Sequence, residues 1–531
     1  MTGAVVTRLT LPLDGRRRRA PGPILGLVTR KFHIRTFGCQ MNVHDSERLA
    51  GVLEAEGMEA TDDVGQADVV VLNTCCIREN ADNKLYGHLG HLKSLQAAKP
   101  GLQIAVGGCL AQKDRELIQA RAPHVDAVWG THNVGRAAEL LALAASEDRP
   151  VMEILEESPT DESGFPSALP VRRNVDHAAW VTIQIGCDNR CAFCIVPAVR
   201  GREQSRPFGQ LVAEVESLAA AGVVEVTLLG QNVNSYGRDI TLALRRQIAA
   251  GSAPAGDPLP PAPAWRAGRT WVAEGARRAR PLFGDLLRAV GQVPGIRRVR
   301  FTSPHPKDLR PDTIAAMAEV PAVCEHLHLP LQAGSDSTLA AMHRGYTAGR
   351  YLERLAAARA AVPDLAVTTD LIVGFPGEGE DDFTRTLEVV AEAGYDSAYT
   401  FIVSPRPGTE AAAMTGAMVP AGVVAERFAR LEVVVERSAL LAHRARVGRT
   451  EEVVVEGPSK RDRSVLTGRT RQNKLVHFPP PPGADLPAGR FAGVEVTAAA
   501  PHYLTGRLVE VEGEASGAHR RRRRRIPVTA G

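Results

Sequence analysis

The chain has 531 residues, of which 44 % are hydrophobic and 23 % are charged. At roughly 150 residues per domain this length suggests three or four domains, and the composition excludes disordered and fibrous classes. The net charge of +4 depends on two arginine runs, Arg16 to Arg19 and Arg520 to Arg525, and becomes −6 without those ten arginines. Any contact with nucleic acid would therefore be regional.

The sequence also restricts the compartment. No apolar stretch approaches the length of a membrane span, and the first thirty residues lack a signal-peptide pattern, so we expect neither membrane insertion nor secretion. Eight cysteines are too few for a disulfide-stapled scaffold of this size. We expect a cytoplasmic, reducing environment and free thiols that have another role.

The first ordered domain is predicted to be an open α/β domain over residues 31–146. It follows residues 1–30, which are rich in Arg, Pro and Gly and predict a flexible leader. Short β-branched runs alternate with helical patterns, which indicates βαβ units and a parallel sheet. The predicted strands are 32–37, 68–73 and 103–106, and the predicted helices are 45–56, 79–96 and one that begins near 112.

A second alternation of strands and helices predicts a partial (β/α)6 barrel over residues 177–422, after a linker at 147–176. Residues 241–280 break the rhythm and predict a surface insertion. The six predicted barrel strands are 181–185, 223–229, 298–302, 326–331, 367–373 and 398–403.

The C-terminal part changes period once more. A connecting helix is predicted at 423–447, and short β-branched segments separated by Gly, Pro or Asn predict a small β-barrel or sandwich at 448–513. Residues 514–531 form a basic tail. The predicted strands are 451–456, 464–467, 474–478, 494–497 and 504–511.

Three cysteines form a tight C-x3-C-x2-C pattern just after the first predicted barrel strand: Cys187, Cys191 and Cys194. Three thiolates on one loop can bind three irons of a 4Fe–4S cluster, which leaves the fourth iron open to amino and carboxylate groups. A structural zinc site or unligated thiols are the alternatives, but the nearest further zinc ligand, His177, precedes the strand. The pattern, with Phe193 before its last cysteine, resembles the radical S-adenosylmethionine (SAM) signature, whose superfamily fold is a partial barrel.

Three further cysteines, Cys39, Cys75 and Cys109, each follow a predicted parallel strand of the first domain. Loops at the carboxyl edge of such a sheet converge on one crevice. The three thiolates are therefore predicted to bind a second cluster that is again one ligand short, the alternative being three buried cysteines acting as small hydrophobes. Cys76 and Cys324 have no matching partner and are predicted to lie in the core.

Several longer segments resemble the tRNA methylthiotransferases in the same order over residues 31–511. That family has an N-terminal methylthiotransferase domain, a radical SAM barrel and a C-terminal β-barrel called TRAM. The segments are TFGCQMNVHDSE, NTCCIRENADNK, GGCLAQ, GCDNRCAFCIVPAVRGREQSRP, LLGQNVNSYG, FTSPHP, HLHLPLQAGSD, HRGYT, DLIVGFPGE and SPRPGT.

The resemblance implies a reaction and its cofactors. TFGCQMN and NTC-x-IRE are similar to the branch that adds a methylthio group to C2 of N6-isopentenyladenosine at tRNA position 37. By that resemblance Cys39, Cys75 and Cys109 hold an auxiliary 4Fe–4S cluster, and the tight trio holds the SAM-coordinating 4Fe–4S cluster. A 5′-deoxyadenosyl radical attacks C2, the auxiliary cluster presents sulfur and a second SAM supplies the methyl group.

The implied partners are the tRNA anticodon loop, SAM, an external electron donor and a sulfur source, and we expect a monomer. Three departures from the family pattern stand out, one of which is the extra segment at 241–280. Cys76 occupies a position where a small residue that is not a ligand is usual, and we favour Cys75 as the ligand. The segment PAVRG replaces a more typical PYTRG.

Candidate SAM contacts are residues that follow barrel strands or lie in the matching loops, where the active sites of barrels occur. Ordinary turn or packing roles are the alternative for each. The candidates are Phe193, Gly230, Gln231, Asn232, Ser303, Gln332 and Arg344.

A basic segment at 459–474 predicts RNA contact, since RNA affinity is dominated by phosphates. It has one acidic residue, Asp462, and a solvated hairpin is the alternative interpretation. Charge reversal at Arg469 and Arg471 is predicted to weaken tRNA binding. The six basic residues are Lys460, Arg461, Arg463, Arg469, Arg471 and Lys474.

Two other functions remain open on the sequence. Within the same chemistry, the substrate could be threonylcarbamoyl-adenosine in tRNA or an aspartate of a ribosomal protein. In a different class, the chain could be a non-catalytic iron–sulfur protein that binds RNA or transfers electrons. Electron transfer alone does not require two three-cysteine sites with open irons, so catalysis is favoured.

Overall fold

The computed structural model describes residues 29–76, 79–147, 149–156, 171–173, 175–250, 280–480 and 486–512. The basic tail, nearly all of the leader, and much of the predicted linker and insertion lie outside the described residues. The chain divides into two compact units. The first contains the described residues up to 173 together with Ile195–Arg202, and the second contains Val175–Cys194 and the described residues from Glu203 onward.

The first unit is built on a six-stranded parallel sheet with the order β2-β1-β3-β4-β5-β6. The strands are β1 (Lys31–Phe37), β2 (Glu59–Ala60), β3 (Val69–Thr74), β4 (Gln103–Gly108), β5 (Ala127–Trp129) and β6 (Val151–Glu153). The helices are α1 (Gln40–Ala55), α2 (Glu79–Ala98), α3 (Cys109–Asp114), α4 (Glu116–Arg121), α5 (Ala137–Glu147) and α6 (Val196–Arg200).

Alternation along β3 explains why this sheet is buried on both faces. Val70 and Leu72 pack in one apolar cluster, whereas Val69 and Val71 pack in the cluster on the opposite face. Successive side chains of a strand point to opposite faces, and parallel sheets are covered by helices on both. The predicted open α/β fold is confirmed. The two- and three-residue strands β2, β5 and β6 were not predicted, since such short runs carry no readable period.

The second unit begins with a partial barrel. Strands β7 (Ala178–Thr182), β10 (Glu225–Leu229) and β11 (Arg298–Phe301) form one parallel sheet, and β12 (His326–His328), β13 (Ala366–Val373) and β14 (Ser397–Ile402) form another. A parallel bridge between Val299 and Val323 connects β11 to the segment before β12. Each predicted barrel strand overlaps an observed one, and the partial barrel is confirmed, but the first strand begins earlier than predicted and Gln184–Ile185 belongs to a separate antiparallel pair. A short antiparallel pair, β8 (Gln184–Ile185) and β9 (Gln204–Ser205), lies beside it.

Helices separate the barrel strands as expected for βα units. The helix α8 covers residues 241–249 of the segment predicted as an insertion, and residues 251–279 lie outside the described residues. The helices are α7 (Phe208–Ala220), α8 (Arg238–Ala249), α9 (Phe283–Gly291), α10 (Pro311–Glu319), α11 (Asp336–Ala341), α12 (Ala348–Ala361), α13 (Glu380–Ala393) and α14 (Glu410–Ala413).

A long helix, α15 (Ala421–Arg444), leads into a closed five-stranded barrel with the order β15-β16-β17-β19-β18. Its core contains Val453, Val476 and Phe478, which are fully buried. The predicted small β-barrel is confirmed. Its strands are β15 (Thr450–Pro458), β16 (Leu466–Thr470), β17 (Leu475–Phe478), β18 (Phe491–Ala499) and β19 (Leu504–Val511).

Within the second unit, buried arginines connect the two barrels. Arg300 donates to the carbonyl oxygens of Thr470 and Arg471 at 2.8 and 2.9 Å. Arg471 in turn donates to both carboxylate oxygens of Glu325 at 2.7 Å. Bidentate, partly buried pairs of this kind fix geometry as well as adding energy. In the part of the chain that the structure describes, no helix is long and apolar enough to cross a membrane.

Candidate functional site

The spread cysteines lie where three adjacent strands of the first unit end. Strands β1, β3 and β4 are neighbours and parallel. Cys39 is the N-cap of α1 two residues after β1, Cys75 directly follows β3, and Cys109 is the first residue of α3 directly after β4. The predicted placement at the carboxyl edge of the sheet is therefore confirmed.

Glycines allow the backbone to come close beside two of these cysteines. Gly38 has a φ of +131°, and a Cβ at this position would lie 2.2 Å from the Cβ of Cys75. Gly108 has a φ of +93°, and its Cβ would lie 2.3 Å from Asn73 Oδ1. Only glycine adopts these conformations and leaves this room. The FGC and GGC segments are thus explained by the packing of the cysteine loops.

The thiols of this site interact in pairs. A hydrogen bond with Cys75 lowers the pKa of the Cys39 thiol to about 6, although burial opposes the change. A hydrogen bond with Cys76, and then the charge of Arg200, lower the pKa of the Cys109 thiol against the effect of burial. Thiolates are the form that binds metal, and the charge of Arg200 favours the thiolate of both Cys39 and Cys109.

Cys76 differs from Cys75 in its surroundings. Cys76 is fully buried in the apolar cluster that also contains Leu85 and Leu89. Its pKa is raised, first by the hydrogen bond with Cys109 and then by burial, so its thiol stays protonated. Cys75 lies outside this apolar cluster and makes a hydrogen bond with Cys39, which supports Cys75 as the third ligand. The prediction that Cys76 and Cys324 lie in the core is confirmed by their burial.

Arg200, which the sequence interpretation passed over, is a buried cation beside this site. Its Nε donates to Cys109 Sγ at 3.3 Å, and its Nη2 donates to Asp45 Oδ2 at 2.6 Å. Arg200 lies in the segment PAVRG on α6, which belongs to the first unit. Hydrogen bonds from an ionised donor are stronger than neutral ones, and this one favours a negatively charged sulfur on Cys109.

The tight cysteine trio lies on a loop in the second unit that follows β8. Cys187 and Cys191 are buried, Cys194 is half-buried, and the Cys194 amide donates to the Cys191 carbonyl at 3.0 Å. Burial raises the pKa of the Cys187 thiol to about 12. The Ala192 amide donates to the Met342 carbonyl at 3.1 Å, which fixes the loop against the segment after α11.

Arg344 lies against the tight trio. Its Nη1 donates to Cys191 Sγ at 3.2 Å, and its Nε donates to the hydroxyl of Tyr346 at 3.2 Å. Tyr346 in turn donates to the carbonyl of Leu331 at 2.8 Å, three residues after the end of β12. Arg344 was predicted to contact SAM, and in the structure its guanidinium donates to a cysteine sulfur of the tight trio.

The other predicted SAM contacts lie at the carboxyl ends of barrel strands. Gly230 directly follows β10, and a Cβ there would lie 2.9 Å from Gln184 Cγ. Gln231 has a buried Oε1 that accepts no hydrogen bond from the described residues. Ser303 and Gln332 have φ angles of +60° and +70°. Positive φ at residues other than glycine stores strain that clusters at functional sites.

Two more of the predicted contacts have partners of their own. The Asn232 amide nitrogen donates to Asp308 Oδ2 at 2.9 Å, so this side chain has a structural partner within the second unit. The ring of Phe193 packs edge-on against the ring of Phe375, with centroids 6.5 Å apart. Phe375 follows β13 by two residues, so the cysteine loop lies at the carboxyl end of that strand.

Sequence reasoning missed Glu203, a half-buried carboxylate beside the tight trio. Its amide donates to Asp188 Oδ1 on the cysteine loop at 3.1 Å, and its carboxylate accepts from the Ser235 hydroxyl at 2.6 Å. Burial raises its pKa to about 7. Perturbed carboxyls of this kind concentrate at functional sites. The signal in the sequence was the acidic residue in GRE, shortly after the last cysteine.

The donor chemistry of both trios fits an iron–sulfur cluster. No group of three or more His, Cys, Asp and Glu side chains in the described ranges stands ready to hold a metal ion. A cluster distributes its thiolates over several irons, so its cysteines need not converge as tightly as the ligands of a single ion. Each trio has a sulfur that accepts from a buried guanidinium, Cys109 from Arg200 and Cys191 from Arg344.

The six basic residues of the C-terminal barrel fall into two groups. Lys460, Arg461 and Arg463 are exposed in the connection between β15 and β16. The other three are paired with carboxylates within the second unit: Arg469 with Glu456, Arg471 with Glu325 and Lys474 with Asp396. The Lys474 side chain is 3 % exposed. The exposed group is therefore better placed than the paired group to contact RNA.

Comparison with known families matches three successive parts of the chain. Residues 31–130 match the Uncharacterized protein family UPF0004, residues 181–390 match the Radical SAM superfamily and residues 444–509 match the TRAM domain. The parallel sheet, the partial barrel with its cysteine loop and the closed barrel correspond to these three matches. The fold and site thus define a radical SAM enzyme with a C-terminal TRAM domain.

Three relatives match nearly the whole chain. The tRNA-2-methylthio-N(6)-dimethylallyladenosine synthase of Nocardioides sp. is 50 % identical over 92 % of this chain and 91 % of its own. That of Streptomyces coelicolor is 49 % identical over 92 % and 90 %. Synthase 1 of Mycobacterium marinum is 49 % identical over 90 % and 85 %. The chain belongs to the family of tRNA-2-methylthio-N(6)-dimethylallyladenosine synthases.

Proposed function

We propose that this chain adds a methylthio group to C2 of N6-isopentenyladenosine at tRNA position 37, giving 2-methylthio-N6-isopentenyladenosine. The observation that carries the proposal is the 50 % identity with a tRNA-2-methylthio-N(6)-dimethylallyladenosine synthase over 92 % of the chain. The reaction takes electrons from an external donor and sulfur from a separate source. We propose that the chain acts as a monomer in the cytoplasm, where its tRNA substrate is found.

Two 4Fe–4S clusters are proposed, one on each cysteine trio. When bound, the cluster of the tight trio would supply the electron that cleaves SAM to a 5′-deoxyadenosyl radical, and the auxiliary cluster would present the sulfur. The proposed ligands are Cys187, Cys191 and Cys194 in the second unit and Cys39, Cys75 and Cys109 in the first.

The chain itself orients these ligands and keeps water away. Arg344 and Arg200 each donate to a cysteine sulfur from a buried position, and this stabilises negative charge on the sulfur. Gln231, whose buried Oε1 accepts no hydrogen bond from the described residues, is proposed as an acceptor for a donor group of SAM. Glu203 is proposed as a second acceptor, since its backbone amide is bonded to Asp188 of the cysteine loop and its carboxylate to Ser235, which follows β10.

The test is the nucleoside composition of tRNA from cells that lack this protein. We expect 2-methylthio-N6-isopentenyladenosine to disappear and N6-isopentenyladenosine to accumulate, as measured by mass spectrometry of digested tRNA. A copy of the wild-type chain should restore the product, whereas the Cys191→Ala variant should not. Retention of the 2-methylthio group on isopentenyladenosine would contradict the proposed substrate. Loss of the group from threonylcarbamoyl-adenosine or from ribosomal-protein aspartate would assign one of the alternatives.

RNA binding is proposed for the exposed loop between β15 and β16. Charge reversal of Lys460, Arg461 and Arg463 to glutamate is expected to weaken tRNA binding and to flatten its dependence on salt, because fewer counterions are released. Binding of tRNA at several salt concentrations measures both effects.

The matched control reverses three other exposed basic residues, Arg350, Arg437 and Arg444, which lie on the helices α12 and α15 and not in the loop. Their reversal should leave the salt dependence of tRNA binding unchanged. If both triple variants bind tRNA alike, the loop is not part of the RNA interface.

Charge reversal at Arg469 and Arg471 also stays a prediction. It is confounded by the ion pairs with Glu456 and Glu325, whose loss would disturb the barrel itself.

A further inference from the structure

The second half of the partial barrel has one sheet face that carries half-buried polar and apolar side chains in a defined order. On β13, Thr369 and Leu371 are fully buried, whereas Asp370 and Ile372 are half-buried. The Thr369 hydroxyl donates to the Leu329 carbonyl, which also accepts from Tyr351 on α12, so the buried face is the helix-covered one. Because side chains alternate along a strand, Asp370 and Ile372 point to the other, open face.

Strand β14 continues this open face. In the parallel register Asp370 is paired with Tyr399, and Ile372 is paired with Phe401 two positions further along. Tyr399 is 57 % exposed, which is a large exposure for an aromatic ring on a barrel strand. The open face therefore presents a polar–aromatic pair followed by an apolar pair.

His328 completes the polar part. Its Nδ1 lies 3.0 Å from Thr368 Oγ1, and its Nε2 lies 3.5 Å from Asp370 Oδ2. Its ring meets the ring of Tyr399 edge-on, with centroids 6.1 Å apart. The imidazole thus lies between Thr368 and Asp370 and fixes the position of the Asp370 carboxylate.

This face leads to the tight cysteine trio. The Ile372–Phe401 pair lies near the carboxyl end of β13, which ends at Val373. Phe375, two residues beyond, packs against Phe193 of the cysteine loop. The apolar pair is therefore nearer to the cysteine loop than the polar pair, and all of these residues lie in the second unit.

We infer that this surface, here called the base-recognition face (His328, Asp370, Ile372, Tyr399 and Phe401), binds the isopentenylated adenine. The inference rests on the proposed function and names the residues that select its substrate. Tyr399 stacks on the purine ring, Asp370 accepts from the remaining N6–H, and Ile372 and Phe401 contact the isopentenyl group.

The chemistry of the substrate matches the order of side chains. An N6-alkylated adenine keeps one N–H donor on N6, which suits a carboxylate acceptor. The five-carbon tail on the same nitrogen is apolar and gains by contact with Ile372 and Phe401. Bases that leave a single-stranded loop are held by stacking on aromatic side chains, and Tyr399 presents such a ring.

Binding of anticodon stem-loop RNA to the cluster-loaded protein without SAM tests the inference independently of turnover. Two RNAs are used, one with N6-isopentenyladenosine and one with adenosine at position 37. We expect Tyr399→Leu to weaken binding of both RNAs roughly tenfold, since a stacked base is lost. Tyr399→Phe keeps the ring and should bind as the wild type does.

The apolar pair is tested by selectivity. Ile372→Ala is expected to reduce the preference for the isopentenylated RNA about fivefold and to leave binding of the unmodified RNA unchanged. Val434→Ala is the matched control, because Val434 is a β-branched apolar residue that is half-buried, as Ile372 is, but lies on α15. This control should change the affinity for neither the isopentenylated nor the unmodified RNA.

The outcomes separate this inference from the proposed function. If Tyr399→Leu and Ile372→Ala bind both RNAs as tightly as the wild type, the base-recognition face is wrong, even where the wild type makes the 2-methylthio product. If the wild type makes no such product, the proposed function fails instead. Thermal unfolding shows whether each variant is folded. Because Tyr399 is exposed, we expect its substitution to leave the fold intact.

Discussion

Replacing any one of Cys187, Cys191 and Cys194 by alanine is expected to abolish formation of 5′-deoxyadenosine as well as of methylthiolated tRNA. Replacing Cys39, Cys75 or Cys109 is expected to abolish only the methylthiolated product. The reason is that the tight trio is proposed to hold the cluster that cleaves SAM, and the spread trio the cluster that presents sulfur. Both products are measured by mass spectrometry after anaerobic reconstitution.

Iron content provides a second measurement on the same variants. The wild type should bind about eight irons per chain, and a variant of either trio about four. Cys324→Ala is the control, because Cys324 is also buried in the second unit but belongs to neither trio. It should keep its iron and both products. An iron content near four in the wild type, or 5′-deoxyadenosine formation by Cys191→Ala, would rule out the assignment.

Cys76→Ala distinguishes the two adjacent thiols of the first unit. Cys76 is packed in the apolar cluster that contains Leu85 and Leu89, whereas Cys75 lies outside that cluster and makes a hydrogen bond with Cys39. Cys76→Ala is therefore expected to retain the iron that Cys75→Ala loses. The opposite result would exchange the roles of the two residues.

Substitution of Arg200 by glutamine is expected to destabilise the first unit by roughly 3 kcal/mol, because it leaves the buried carboxylate of Asp45 without its nearest cation. Both side chains are about 95 % buried, and the pair is 2.6 Å long. A second cation, Arg48, lies 3.9 Å from Asp45 and compensates only in part. Hydrogen exchange of the amides of β3 and β4 measures the free energy of unfolding of this unit.

The matched control for this effect is Arg149→Gln, in which an arginine of the same unit loses an exposed partner, Glu147. Exposed ion pairs contribute little, so this change should cost less than about 1 kcal/mol. The double variant Arg200→Gln with Asp45→Asn should recover part of the lost stability, because no buried charge is then unpaired. Equal effects of Arg200→Gln and Arg149→Gln would contradict the role assigned to the buried pair.

The elements that repeat a clear period were predicted correctly from the sequence. The strands β1, β3 and β4 and the six barrel strands have β-branched runs long enough to show a pattern. The connecting helix α15 and the strands of the C-terminal barrel were placed to within a few residues. The short strands β2, β5 and β6 were missed, since two or three residues carry no period.

The site was predictable where its residues share a motif and unpredictable where it depends on distant partners. The C-x3-C-x2-C spacing alone predicts a cluster site at Cys187, Cys191 and Cys194. Arg200 and Asp45 are 155 positions apart in the chain, and only folding brings their charges together. Lys474 was predicted as an RNA contact because sequence shows its charge but not Asp396, which lies 78 positions away and pairs with it.

The sequence by itself determined the order of the three domains and the six cysteines, because strand periods and thiol spacings are local properties of the chain. The tertiary structure alone decided which thiols and charges meet. It placed Cys76 in an apolar core, Arg200 and Arg344 on cysteine sulfurs and Tyr399 on an open sheet face. Such pairings depend on packing between distant segments, and no local pattern encodes them.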